Sequence, residues 1–371
     1  MYNIAEFAQS FKQNKKIALY FDEPLASRTS FKIGGRAALL AEPQDSDSLA
    51  ELLKSAQAAG VPYFILGGGT NVLFSDSGFD GIVVSTKKIC GISVEKDVRV
   101  KPEHDVEATP VKPEHDAKAS PVKPEHDAGA SPVIPALDAG IFSSEASSKA
   151  IIRAAAGESV AALVSFAERE GLSGLEEFAG LPGTVGGAVY MNARCFDREM
   201  SQVAAKITWL EWTDNAQAQN SAAANAGTFI VKSAVFAPSD WAYKKSPFTG
   251  TGRVVLSAEF IVQKGDKASI AQKAAAFIQE RKNKGHYKAP CAGSVFKNNR
   301  AFGRPTGKII DELGLKGERR GGAQIAPFHG NIIINAGGAS SADVRALVDL
   351  CKARAKEKFG IDLEEEIVLV D

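Results

Sequence analysis

An eleven-residue unit repeats three times between Val100 and Pro132, as VKPEHDVEATP, VKPEHDAKASP and VKPEHDAGASP. An eleven-residue period suits a right-handed coiled coil, but each unit carries two prolines, which break a continuous helix. The units lack aromatic residues and have almost no large apolar ones, so they cannot offset their own ordering entropy. With their Ser-, Ala- and Pro-rich flanks, residues 97–148 read as a disordered or extended insertion. Any globular core must then be assembled from the sequence on either side. Loop-closure entropy grows only logarithmically, so a host fold tolerates such an insertion. His104, His115 and His126 lie in it. Spaced along a flexible chain they preform no coordination geometry, and no metal site is expected. Weak metal capture or an interaction tail is the functional alternative to a solvated spacer.

The remaining sequence is that of an ordinary globular protein. At 371 residues, 44% hydrophobic and 24% charged, the chain has room for two or three domains. Its 44 basic residues balance 44 acidic ones, so no overall field points to nucleic acid or an anionic membrane. The stretch from Met1 to Lys16 is polar, with no continuous apolar run, and reads as neither a secretory signal nor a span of about 20 apolar residues. Cys90, Cys195, Cys291 and Cys351 are far apart without CxxC pairing, which suggests reduced thiols and a cytoplasmic location.

Hydrophobic periodicity predicts helices over Asp45–Gly60 and Ser159–Gly171, the first burying Leu49, Leu52, Leu53 and Ala56. Further helices are expected at Lys267–Lys282, Pro305–Leu313 and Ser341–Phe359. Strands are expected at Pro62–Leu66, Gly81–Ser85, Lys206–Trp212, Phe229–Phe236, Arg253–Val262, Asn331–Asn335 and Glu366–Val370. This mixture gives an α+β fold with a division near residue 263.

Two glycine-rich segments stand out. Gly67-Gly68-Gly69-Thr70-Asn71 follows a short strand. Consecutive glycines let backbone N–H groups converge on an anion such as a pyrophosphate, with Thr70 and Asn71 adding side-chain donors. Neither a GxGxxG fingerprint nor a GxxxxGK[ST] loop is present. The bland alternative is a tight strand turn. The second segment, Gly171–Asn192, has Gly180, Gly183, Gly186 and Gly187 with Pro182 as a stiffener, and suits close approach to a flat ligand. Thr184 and Asn192 are candidates to bond a ring edge, and close helix packing is the alternative. Together the two loops favour a flavin.

With these motifs, the chain resembles the UDP-N-acetylenolpyruvoylglucosamine reductase (MurB) family. The resemblance runs through Thr29–Gly35 (TSFKIGG), Leu66–Leu73, Ser75–Gly81, Gly171–Asn192, Gly293–Asn298 (GSVFKN) and Leu363–Ile367 (LEEEI), in the family order. It implies a two-part FAD-binding domain of the vanillyl-alcohol-oxidase type over residues 1–263, with parts at about 1–86 and 87–263. A C-terminal α+β substrate domain would cover 264–371. The short connection from Phe260 to Gly293 resembles the type II subgroup. FAD as cofactor, NADPH as co-substrate and a UDP-sugar enolpyruvyl ether as substrate follow from the resemblance. No nucleic acid, membrane or obligatory protein partner is expected.

The resemblance also assigns Ser294 as proton donor and Glu366 as catalytic glutamate, with Tyr243, Lys297 and Asn298 toward the substrate. The family has an arginine in a Tyr-Arg-x-Ser-x-Phe segment, where this chain reads Tyr243-Lys244-Lys245-Ser246-Pro247-Phe248. Lys244 keeps the charge but not the planar two-pronged grip; Arg281 or Arg304 would otherwise cover the role. Arg194 stands where the family has glycine. Two other readings stay open. One is an FAD-linked oxidase or dehydrogenase of a hydroxy acid or alcohol; the other is an interaction protein that uses the insertion.

Overall fold

The computed structural model of the chain describes residues 3–96, 149–214 and 227–371. The expected insertion at 97–148, with its three histidines, lies outside the described residues.

A four-stranded sheet opens the fold, with strands Ile17–Pro24, Arg36–Pro43, Phe79–Ser85 and Tyr63–Leu66 in that spatial order. The first pair is antiparallel and the last three strands are mutually parallel. Helix Ser46–Ala58 starts where the Asp45 carboxylate accepts the Ser48 N–H, and it buries Leu49, Leu52, Leu53 and Ala56 completely. The antiparallel pair Ile17–Pro24 and Arg36–Pro43 was not foreseen.

A second sheet orders Thr228–Ala234, Ala204–Thr213, Val254–Lys264, Lys149–Ala155 and Ile92–Lys96, with the short strand Leu172–Ser173 on Val254–Lys264. Helix Val160–Glu170 packs on it, capped by the Ser159 hydroxyl and ended by Gly171 at φ 68°. The ladder between Ile92–Lys96 and Lys149–Ala155 is antiparallel, with Lys96 opposite Ala150. The two ends of the described chain flanking 97–148 therefore lie side by side.

Helix Lys267–Asn283 corrects the expected division at 263. Its Ala274, Phe277 and Ile278 pack into the core built from residues 150–262. The packing change therefore comes near the end of this helix, after which Cys291–Ser294, Ile332–Asn335, Ala323–Ile325 and Arg319–Arg320 form an antiparallel sheet. Helices Thr306–Glu312 and Ser341–Phe359 cover it.

This last region is tied firmly to the first. Phe31, Ile33 and Leu73 belong to its core. The Asp76 carboxylate accepts the Ser341 and Ala342 N–H groups at 2.6 and 2.9 Å, at the start of the final helix. The closing strand Val368–Val370 runs parallel to Val72–Phe74, so the C-terminus returns to the glycine loop. That strand is shorter than expected because the Glu366 peptide is held elsewhere, by Val295 and Asn71.

Candidate active site

The two glycine-rich segments meet. Cβ atoms added at Gly67 and Gly68 would lie 2.6 Å from the Thr184 hydroxyl and 2.5 Å from Gly183 Cα. At Gly69, with φ 68°, a Cβ would lie 2.3 Å from the Arg28 carbonyl oxygen. The glycines are thus demanded by loop against loop as well as by any ligand. Gly67–Asn71, Pro182–Thr184, Gly186 and Gly187 together line a cavity of about 620 Å³. Among the described residues, the N–H groups of Gly67 through Asn71 find no acceptor in the protein. A cradle of unpaired peptide donors beside an apolar wall of Leu66, Val72 and Leu181 fits a ligand with a phosphate end and a flat end.

Two expected cofactor residues do not belong to this cradle. Asn192 is fully buried, and its amide donates to Glu199 and the Ala242 carbonyl while its oxygen accepts the Ser201 N–H. Its polar atoms serve the protein rather than a ring edge. Gly180 stays outside the cavity, and its carbonyl accepts the Tyr287 hydroxyl at 2.5 Å. Residues 185–190 of the same segment form a short helix that the glycine count concealed, with Thr184 as its cap. Thr70 reaches the Pro182 carbonyl at 3.5 Å, and Asn71 donates to the Glu366 carbonyl at 3.0 Å.

Lys244, Ser294 and Glu366 come from three remote segments and line the same cavity. Lys244 lies in a tight hairpin closed by reciprocal Ala242 and Lys245 bonds, with φ 59° at Lys244 itself. Ser246 anchors the hairpin to the Tyr190 carbonyl at 2.7 Å, and Phe248 is completely buried beyond it. Lys244 Nζ is 2.6 Å from Glu366 Oε1, with side chains only 12% and 11% exposed. Burial pushes the Glu366 carboxyl above the usual carboxylate range, against the pull of the Lys244 ammonium. Ser294 ends strand Cys291–Ser294, after Gly293 at φ 76°. Its hydroxyl has no hydrogen-bond partner among the described residues.

The expected substrate residues lie beside the cavity rather than in its lining. The Tyr243 hydroxyl accepts the Asn298 N–H at 3.3 Å, and Asn298 Oδ1 accepts the Thr306 N–H at 2.9 Å. Lys297 pairs with Glu364, and its charge also acts on Glu366. Of the two substitute arginines, Arg304 is excluded by position: it stacks 4.7 Å over Phe359 and pairs with Glu312. Arg281 lines the cavity, donating to Cys195 Sγ at 3.3 Å and to the Tyr287 hydroxyl at 3.2 Å. Arg194, Arg253, Lys284 and His286 also line it and were not placed there by sequence reasoning. Only the departure at Arg194 gave a signal.

The chain is 37% identical over 361 residues to the UDP-N-acetylenolpyruvoylglucosamine reductase of Treponema denticola, covering 94% of this chain and 92% of the relative. It belongs to that reductase family. The Bacillus subtilis reductase is 30% identical, covering 98% and 97%. Residues 283–370 match the profile of the UDP-N-acetylenolpyruvoylglucosamine reductase C-terminal domain, and residues 37–103 match an FAD binding domain. The crystal structure of the Thermus caldophilus reductase superposes with a TM-score of 0.62 at 26% identity, covering 96% of this chain and 99% of that one. The protein is therefore an FAD-dependent oxidoreductase of cell-wall synthesis, with the two-part FAD-binding and C-terminal α+β architecture that the sequence predicts. All four cysteines are free. No helix among the described residues is long and apolar enough to cross a membrane.

Proposed function

We propose that the protein reduces UDP-N-acetylglucosamine enolpyruvate to UDP-N-acetylmuramate with NADPH. FAD held against the two glycine loops would supply the redox chemistry, taking hydride from NADPH, which would leave as NADP⁺, and making it available to C3 of the enolpyruvyl double bond. The second hydrogen arrives at C2 as a proton, and Ser294 is the donor. A serine is a weak acid, so this transfer needs negative charge developing at C2 and a cation beside the substrate carboxylate. Lys244 supplies that cation. Glu366 fixes the ammonium at 2.6 Å and completes the charge pattern around C2. Gly67–Asn71, Pro182–Thr184, Gly186 and Gly187 would hold the cofactor, chiefly through peptide N–H groups.

One observation carries the reading: Lys244, Ser294 and Glu366 line one cavity with both glycine loops. A lone flavin site of the oxidase kind has no need of the serine or the ion pair. The test is NADPH consumption under anaerobic conditions, with and without the enolpyruvyl substrate. Substrate-dependent consumption with one UDP-N-acetylmuramate formed per NADPH is expected. Oxygen-coupled oxidation of an alcohol or hydroxy acid, with no enolpyruvyl turnover, would overturn the assignment.

A further inference from the structure

Glu366 lies outside any regular strand, since the closing strand begins at Val368. Its position depends on three individual bonds. Its N–H donates to the Val295 carbonyl at 2.7 Å, one residue beyond Ser294. Its carbonyl accepts from the Asn71 amide at 3.0 Å. Its carboxylate meets Lys244 at 2.6 Å. Asn71 also closes the next link, because its own carbonyl accepts the Val368 N–H at 2.9 Å. The amide that ends the glycine loop is thus directed to the peptide of the site glutamate.

We propose that Asn71 is a positioning residue for Glu366, setting the carboxylate against Lys244 and beside Ser294 for the second half-reaction. This role rests on the function proposed above. The Asn71 bond and the Val295 bond grip Glu366 through its two peptide groups, so its side chain leaves the backbone from a fixed point between the glycine loop and the serine strand. Loss of the Asn71 donor would leave the Glu366 carbonyl without this partner and let the segment before Val368 shift. A misplacement of about 1 Å at a reacting centre costs on the order of 100-fold in rate. Because the Asn71 amide is spent on the protein, its substitution should injure proton and charge management more than cofactor retention.

The test compares Asn71→Ala and Asn71→Asp, the second isosteric but without N–H donors, each purified with FAD and assayed in single turnover. FAD content should stay near one per chain. Reoxidation of the reduced flavin by UDP-N-acetylglucosamine enolpyruvate should slow about tenfold or more, and reduction by NADPH less than about threefold. In a Glu366→Gln background the added cost of Asn71→Ala should shrink below about threefold, because one lesion then contains the other. Loss of FAD from both variants, equal slowing of both half-reactions, or full additivity with Glu366→Gln would each overturn the role. Wild-type flavin that NADPH reduces but this substrate never reoxidises would overturn the assigned function, and the Asn71 role with it.

Discussion

The side of the cavity proposed to hold the cofactor and the side proposed to react are built by different means. Gly67–Asn71 and Pro182–Gly187 contribute peptide groups, and a Cβ added at Gly67, Gly68 or Gly183 would collide with the facing loop. Lys244, Ser294 and Glu366 contribute side chains, brought together from a hairpin, an edge strand and a C-terminal segment. The first side is specified by what it lacks, the second by three chemical groups. Substitutions should therefore fail in different ways: at the glycines of the first side by losing the cofactor, on the second by losing chemistry with the cofactor in place.

The largest effect on cofactor binding is expected at Gly68→Ala. Its Cβ would sit 2.5 Å from Gly183 Cα, and overpacking of this kind costs about 1–3 kcal/mol. FAD content measured by absorbance should fall at least about tenfold, since displacement of the loop scatters its donors. Full FAD occupancy would show that the loops can part without harm, and would erase the contrast between the two sides.

Lys244 should show the opposite behaviour. Lys244→Ala leaves Glu366 buried without its partner, a lesion on the order of 3 kcal/mol. Turnover should fall about 10- to 100-fold with FAD retained, while Lys244→Arg should stay within about tenfold of wild type. The same substitution sharpens the pH dependence. Burial raises the Glu366 carboxyl and Lys244 lowers it, so removing the ammonium should move the Glu366 limb of the pH–rate profile to higher pH. An unmoved limb would mean that Glu366 titrates independently of Lys244.

The smallest effect is expected from deleting residues 97–148 and joining the ends with a short turn. Lys96 and Ala150 are already cross-strand partners, so a tight connection closes the same ladder. FAD content and turnover should change less than about twofold. A large loss of turnover with FAD intact would give the repeats a part in the reaction.

The same contrast explains what the sequence made legible. Glycine runs and amphipathic helices are local signals, so the Ser46–Ala58 and Ser341–Phe359 helices and the Gly67–Asn71 loop lie near their expected limits. Local signals mislead where a residue's partners are distant. Asn192 looked like a ring-edge donor until Glu199, Ala242 and Ser201 took its polar atoms. Lys297, expected toward the substrate, pairs with Glu364 beside the cavity. The antiparallel pair Ile17–Pro24 and Arg36–Pro43 went unforeseen, with part of the first strand exposed and nearly all of the second buried, so clean alternation is absent. The helix Lys267–Asn283 is polar over most of its surface, and only its packing reveals which core it serves. The meeting of Lys244 with Glu366 is a tertiary event and could be suggested only by resemblance.

Stopped-flow absorbance of the Ser294→Ala flavin tests the division of labour most directly. NADPH should bleach the flavin at close to the wild-type rate. Recovery of colour with UDP-N-acetylglucosamine enolpyruvate should slow by about 100-fold or more, the range for a lost general acid. Recovery at the wild-type rate would remove Ser294 as proton donor and contradict the account of the side-chain wall.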